Sequence, residues 1–248
     1  LKSVKMIEIL FFSVLLTGIL TEIISKKLEH YKPIIISFSV AIVLTLLFTH
    51  ILPELFSVNS HKVGYFLLGG FVLQILLELL SKGIEHGHVH LNGEISNKQL
   101  LVIFIGLSLH SFIEGIPIKT FNEFHGHTHS LSSTSFSWVY LSAILIHKLP
   151  IAAVLMIFLK SIHSSLSKKI IFLLIFAISS PAGGYFGEYL IKFNFFSNWS
   201  NYFLAISCGM LLHITTLLIF EDHHSGGKVK NIITICTGII TGLVIFSI

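Results

Sequence analysis

Two residues spaced four apart carry most of the chemistry legible in this chain. They are His110 and Glu114, within Leu107-Ser108-Leu109-His110-Ser111-Phe112-Ile113-Glu114-Gly115. On a helix that spacing stacks an imidazole and a carboxylate on one face, about one turn apart. The pair is half of a metal site. A second stretch, Ile146-His147-Lys148-Leu149-Pro150, offers His147 as a third ligand beside a proline that frees the backbone carbonyl one turn earlier. Two imidazoles and one carboxylate without a thiolate suit zinc best, and iron, manganese, cobalt or cadmium acceptably. The same groups could instead satisfy one another across helix interfaces, His110 with Glu114 and His147 with a nearby carbonyl. Three groups in register on two adjacent segments favour the metal.

Other groups extend the candidate set. His50, Glu54 and His213 are relay ligands or interface hydrogen bonders, with the two readings balanced. Glu78 and Glu188 have no such company and read as structural. Two polar connections alternate His with other residues: Glu85-His86-Gly87-His88-Val89-His90, and His125-Gly126-His127-Thr128-His129. Imidazoles on a flexible chain can converge on one cation, so both loops are auxiliary metal-binding candidates.

What must position these residues is a membrane-spanning scaffold. Of 248 residues, 53% are hydrophobic and only 11% charged, with a mean hydropathy of +0.87. A soluble domain carries roughly a quarter charged residues, so a soluble globular protein is excluded. Apolar runs are punctuated into eight segments, at 6 to 25, 33 to 56, 62 to 82, 98 to 118, 137 to 159, 168 to 191, 201 to 220 and 230 to 248. Each is long enough for a crossing of about 20 residues. The expected fold is an all-α polytopic membrane protein with eight transmembrane helices. A single transmembrane domain occupies 1–248, with a His-bearing cytoplasmic loop at 83–97 and a His-bearing extracytoplasmic loop at 119–136. The first run, with Glu8 and Glu22 inside it, is a helix rather than a cleaved signal peptide.

Charge sets the orientation. All 16 basic residues are lysines; ten lie in the four odd-numbered connections, five in the even connections and the N-terminal stub, and Lys148 lies inside segment five. Because cytoplasmic loops carry the positive excess, both termini are expected outside. Scattered lysines give no stripe for nucleic acid. Cys208 and Cys236 both lie inside apolar runs and support neither a disulfide framework nor a thiolate zinc site. An ionisable group at bilayer depth costs about 2.5 to 3.5 kcal/mol on insertion scales, which makes His50, Glu54, Glu78, His110, Glu114, His147, Lys148, Glu188 and His213 the core candidates, not all of them functional.

The assembled pattern resembles the ZIP (Zrt/Irt-like) family of divalent-metal transporters. The resemblance covers the whole chain. His110-Ser111-Phe112-Ile113-Glu114-Gly115 is similar to the family's segment-four signature, His50-Ile51-Leu52-Pro53-Glu54 to its His-Leu-Leu-Pro-Glu stretch, and Ser179-Ser180-Pro181-Ala182-Gly183 to its small-residue stretch in segment six. Cys208-Gly209-Met210-Leu211-Leu212-His213 sits where the family has a Gly followed by an aromatic-bearing run. The resemblance implies a mid-membrane site between segments four and five, with His110, Glu114 and His147 as ligands and Ser111 and Lys148 adjacent. Many members carry acidic residues at the positions of Lys148 and Ile151 and bind two ions. The lysine resembles a branch that transports one, with Lys148 in the region of the second metal and Glu114 as its natural partner. It also implies import into the cytoplasm across, most simply, the plasma membrane. Zn2+ is then substrate, no cofactor is required, and the partners are the metal ion and the bilayer, with room for a homodimer.

Two rivals belong to other classes. An intramembrane zinc hydrolase uses the same ligand set, but it needs a general base beside its bound water, and this chain offers Lys148 there and no His-Glu-x-x-His. A six-helix proton-coupled exporter conflicts with eight segments and with the absence of paired His-x-x-x-Asp motifs. The reading is therefore a carrier, not an enzyme.

Overall fold

The computed structural model describes residues 2–58, 60–84, 96–120, 133–193, 195–196, 199–220 and 228–246. Among these, eight helical stretches are long and apolar enough to cross a membrane, from Lys5–Ser25 through Val229–Phe246. The helices are α1 (Lys2–Leu46), α2 (Leu52–Val58), α3 (Ser60–Ser81), α4 (Asn97–Gly115), α5 (Ser133–Ser161), α6 (Leu166–Leu190), α7 (Ser200–Phe220) and α8 (Lys228–Phe246). All-helical architecture is what bilayer depth demands, since only internally satisfied backbone survives there.

The first two segments are the two spans expected, Lys5–Ser25 and Leu28–Ser57, but no break in helix separates them. The first and most of the second share one helical stretch of 45 residues, helical through the polar residues between them. A straight helix of that length would measure about 67 Å, roughly twice the hydrocarbon thickness. It folds back instead: Thr17 and Ile36 line the same cavity of about 340 Å³ against α5, whereas a straight helix would hold them about 28 Å apart. Its first limb runs antiparallel to α6, with Gly18 at Leu173 and Ile7 at Gly184. The second runs parallel to α8, with Ala41 at Gly238 and Thr45 at Gly242.

Prolines shape the ends. After Leu46 the chain widens into a π-helical turn over Leu47–Ile51, closed by the Leu52 N–H on the Leu47 carbonyl. Pro53 has no N–H to return to Thr49 and its ring crowds that carbonyl, which accounts for the wider turn carrying His50. The sequence Ser96-Asn97-Lys98-Gln99 starts α4 with a reciprocal cap: the Gln99 N–H donates to Ser96 Oγ at 3.2 Å and the Ser96 N–H to Gln99 Oε1 at 3.0 Å. Pro117 ends α4 by tightening it into a 3₁₀ turn at Ile116–Lys119.

Helices α4 and α6 meet at backbone distance. A methyl group on Gly115 would overlap the Ser180 carbonyl, and one on Gly183 the Phe112 carbonyl. Lipid tails are as apolar as leucine, so small residues that admit close approach, not hydrophobic exclusion, hold such helices together. The same device joins α3 to α7, where Gly70 faces the Ile206 carbonyl and Gly209 the Leu67 carbonyl.

Candidate metal centre

Buried positions on α4 follow the helical repeat: Leu100, Ile103, Phe104 and Leu107, then His110, Ser111 and Glu114. The stripe is apolar in its first half and polar in its second, so packing that buries the leucines carries three polar groups into the bundle. On α5 the inward stripe is Tyr140, Ile144, His147, Lys148 and Ile151, all buried. These faces meet. One ligand atom each from His110, Glu114 and His147 lies within 4.8 Å of the others, in the one buried group of three metal-ligating side chains among the described residues.

The spacing approaches that of a single ion. An ion bonded at about 2.1 Å in tetrahedral geometry holds its ligand atoms about 3.4 Å apart. His110 Nε2 and Glu114 Oε2 are 3.8 Å apart, about 0.4 Å beyond that. The widest separation, within 4.8 Å, needs to close by no more than about 1.4 Å, which side-chain rotation can supply. The two imidazole rings meet edge to face with centroids 5.9 Å apart. Glu114 Oε1 is buried without a hydrogen bond among the described residues, a carboxylate oxygen left to a ligand.

Lys148 is fully buried, but its partner is not the expected one. Its ammonium donates to the Ser111 and Ser180 hydroxyls and lies over the Phe176 ring, 4.6 Å from the centroid. No ion pair joins it to Glu114. The Ser180 hydroxyl in turn donates to the Ser111 carbonyl at 2.7 Å. The close α4–α6 approach thus puts two hydroxyls where α5 delivers its cation. Ser111, adjacent to the ligands in the sequence reading, faces Lys148.

Sequence reasoning missed three participants. Gln74 on α3, fully buried, sets its Oε1 2.7 Å from His110 Nδ1. Tyr140 donates to the Glu114 carbonyl at 2.8 Å and shares a 2.5 Å hydrogen bond with Ser207 of α7. A neutral amide or hydroxyl in an apolar run gives no charge signal, and each contact spans at least 26 residues of sequence.

The remaining candidates lie apart from the cluster. His213 pairs with Glu78 at 2.7 Å, so Glu78 has a partner that its sequence surroundings did not reveal. Glu188 pairs with Lys119, which also lies over Tyr185. His50 shares a 2.6 Å hydrogen bond between its Nδ1 and Thr49 and stacks edge-on with Phe246, and Glu54 is buried one turn further. The loop histidines His86, His88, His90, His125, His127 and His129 fall outside the described residues.

The family model described as ZIP Zinc transporter matches residues 88–248, which is 161 of the 248 residues. The match contains His110, Glu114, His147, Lys148 and His213, and begins after His50, Glu54 and Gln74. No curated protein matches the chain.

Proposed function

This chain belongs to the ZIP zinc transporter family, and from that premise we propose that it carries a divalent ion, zinc first, through a single site formed by His110, Glu114 and His147. Members of the family move divalent metal ions across membranes, and the eight apolar helices make this an integral multi-pass membrane protein. The observation that supports the site is the convergence of three ligand atoms from two membrane-spanning helices at full burial. Three protein ligands leave coordination incomplete, as a carrier needs: a closed tetrahedral cage would retain its ion.

Lys148 places its amine beside the site, where a second ion would need a ligand, so one ion is carried per cycle. Carriage rather than hydrolysis follows from the same residue, because a buried ammonium is where a hydrolase would need its base. We assign transport into the cytoplasm, both termini outside, the plasma membrane as location and a homodimer as assembly. His50, Glu54 and His213 serve as relay positions. The clusters at His86, His88 and His90 and at His125, His127 and His129 tune apparent affinity or regulation without being required for transport.

The test is zinc uptake into proteoliposomes loaded with a fluorescent zinc indicator. Wild type accumulates zinc, and His110→Ala abolishes uptake while the protein still purifies as a folded, monodisperse species. Uptake that persists in His110→Ala places the path elsewhere. Uptake absent from both, with zinc bound stoichiometrically in detergent, favours the hydrolase.

A further inference from the structure

Segment three is apolar around Gln74, and burying an amide there without use costs about 1–3 kcal/mol. Its oxygen lies 2.7 Å from His110 Nδ1, and both side chains are buried. An amide oxygen only accepts, so Nδ1 carries the ring proton. A neutral imidazole has one N–H, and its lone pair therefore sits on Nε2, the atom that faces Glu114 Oε2 at 3.8 Å. Gln74 thus selects the tautomer of His110 and fixes the plane of its ring.

The chemistry of the partner also matters. The outer nitrogen of a zinc-bound imidazole commonly donates to a carboxylate or carbonyl, and a carboxylate raises the ligand's basicity. One turn along the same helix, Glu78 gives His213 a carboxylate partner at 2.7 Å. An acid thus serves one turn away, where the side chain is partly exposed, whereas at His110 the fully buried partner is an amide, which orients the ring without adding charge.

We propose that Gln74 is a positioning residue for transport: it holds His110 ready to take an ion, and its neutrality keeps that ion releasable. This rests on His110, Glu114 and His147 being the transport ligands. Two substitutions of near-equal volume separate its two roles. Gln74→Met removes the acceptor and is expected to raise both the detergent Kd for zinc and the KM of uptake by about 10–100-fold, with the saturating rate retained. Gln74→Glu restores an acceptor and adds charge; it should bind zinc at least as tightly as wild type and show a lower saturating rate. Opposite movements of affinity and rate are not produced by a merely structural defect. Wild-type Kd and KM in Gln74→Met, or zinc weakened by Gln74→Glu as much as by Gln74→Met, overturns the proposal. His110→Ala measured alongside separates the two readings. If it loses zinc while Gln74→Met does not, the role of Gln74 alone fails; if it keeps zinc, the transport site itself is misassigned.

Discussion

The residue on which the proposed one-ion stoichiometry turns is Lys148. A cation with no exposure needs compensation for lost hydration, and here its direct contacts are two serine hydroxyls and an aromatic face. Glu114 is therefore not held in a direct ion pair and its carboxyl group stays open to an arriving ion, while the ammonium remains close enough to weaken that ion's binding. Lys148→Met should accordingly tighten zinc binding by about tenfold or more and slow uptake at saturation. Ser180→Ala, which leaves the ammonium a single hydroxyl, should cost about 1–3 kcal/mol of stability. Isothermal titration and thermal denaturation in detergent measure the two effects, and unchanged zinc affinity in Lys148→Met removes the electrostatic role. The spacing of His110 and Glu114 was legible because one turn of helix dictates it, and His147 because a histidine beside an intramembrane proline is rare. The seat of Lys148 was not: Ser180 reaches it from a third helix, 32 residues away in sequence, and no local pattern encodes which helices touch.

Among elements, the α4–α6 contact bears the site, since it sets both the depth of Glu114 and the place of Ser180. Its geometry depends on the absence of side chains at Gly115 and Gly183, where an added methyl would meet backbone, which cannot yield as a flexible side chain can. Gly183→Ala should therefore destabilise by about 1–3 kcal/mol and reduce zinc binding as the helices separate. Gly64→Ala and Gly69→Ala on α3 make the control. Nothing lies within 4 Å of a methyl at either position, and replacing a helical glycine gains up to about 1 kcal/mol. Melting temperatures should fall for the first and hold or rise for the others; equal behaviour would show that the contact is looser than described. At this scale the eight apolar runs were legible almost in full: 98 to 118 became Asn97–Lys119, and 137 to 159 became Phe136–Ser161. The continuity of α1 was hidden. Polarity marks where a helix leaves the hydrocarbon, not where its backbone stops being helical, and Lys26, Lys27, Leu28 and Glu29 are all good helix formers.

At the scale of the whole molecule, the two ends of the bundle are tied by different contacts. At one end Glu22 pairs with Lys169, and Lys160 donates to the Glu22 carbonyl and to Ser25, joining α1, α5 and α6. At the other, Lys119 and Glu188 join the turn after α4 to α6. Both ends therefore have paired lysines, and charge pairing does not distinguish them. Orientation depends instead on the number of lysines, which insertion reads without regard to later partners: ten against five, with the connection after α5 on the richer side. That connection should face the cytoplasm and the one after α6 the outside. In a Cys236→Ala background, with Cys208 buried, Ser161→Cys and Lys192→Cys place single thiols at exposed positions on opposite ends. A membrane-impermeant maleimide added to intact cells should label Lys192→Cys at once and Ser161→Cys only after permeabilisation. Labelling in the reverse order would put the His125, His127 and His129 cluster in the cytoplasm, where it could no longer gather ions at an outer mouth.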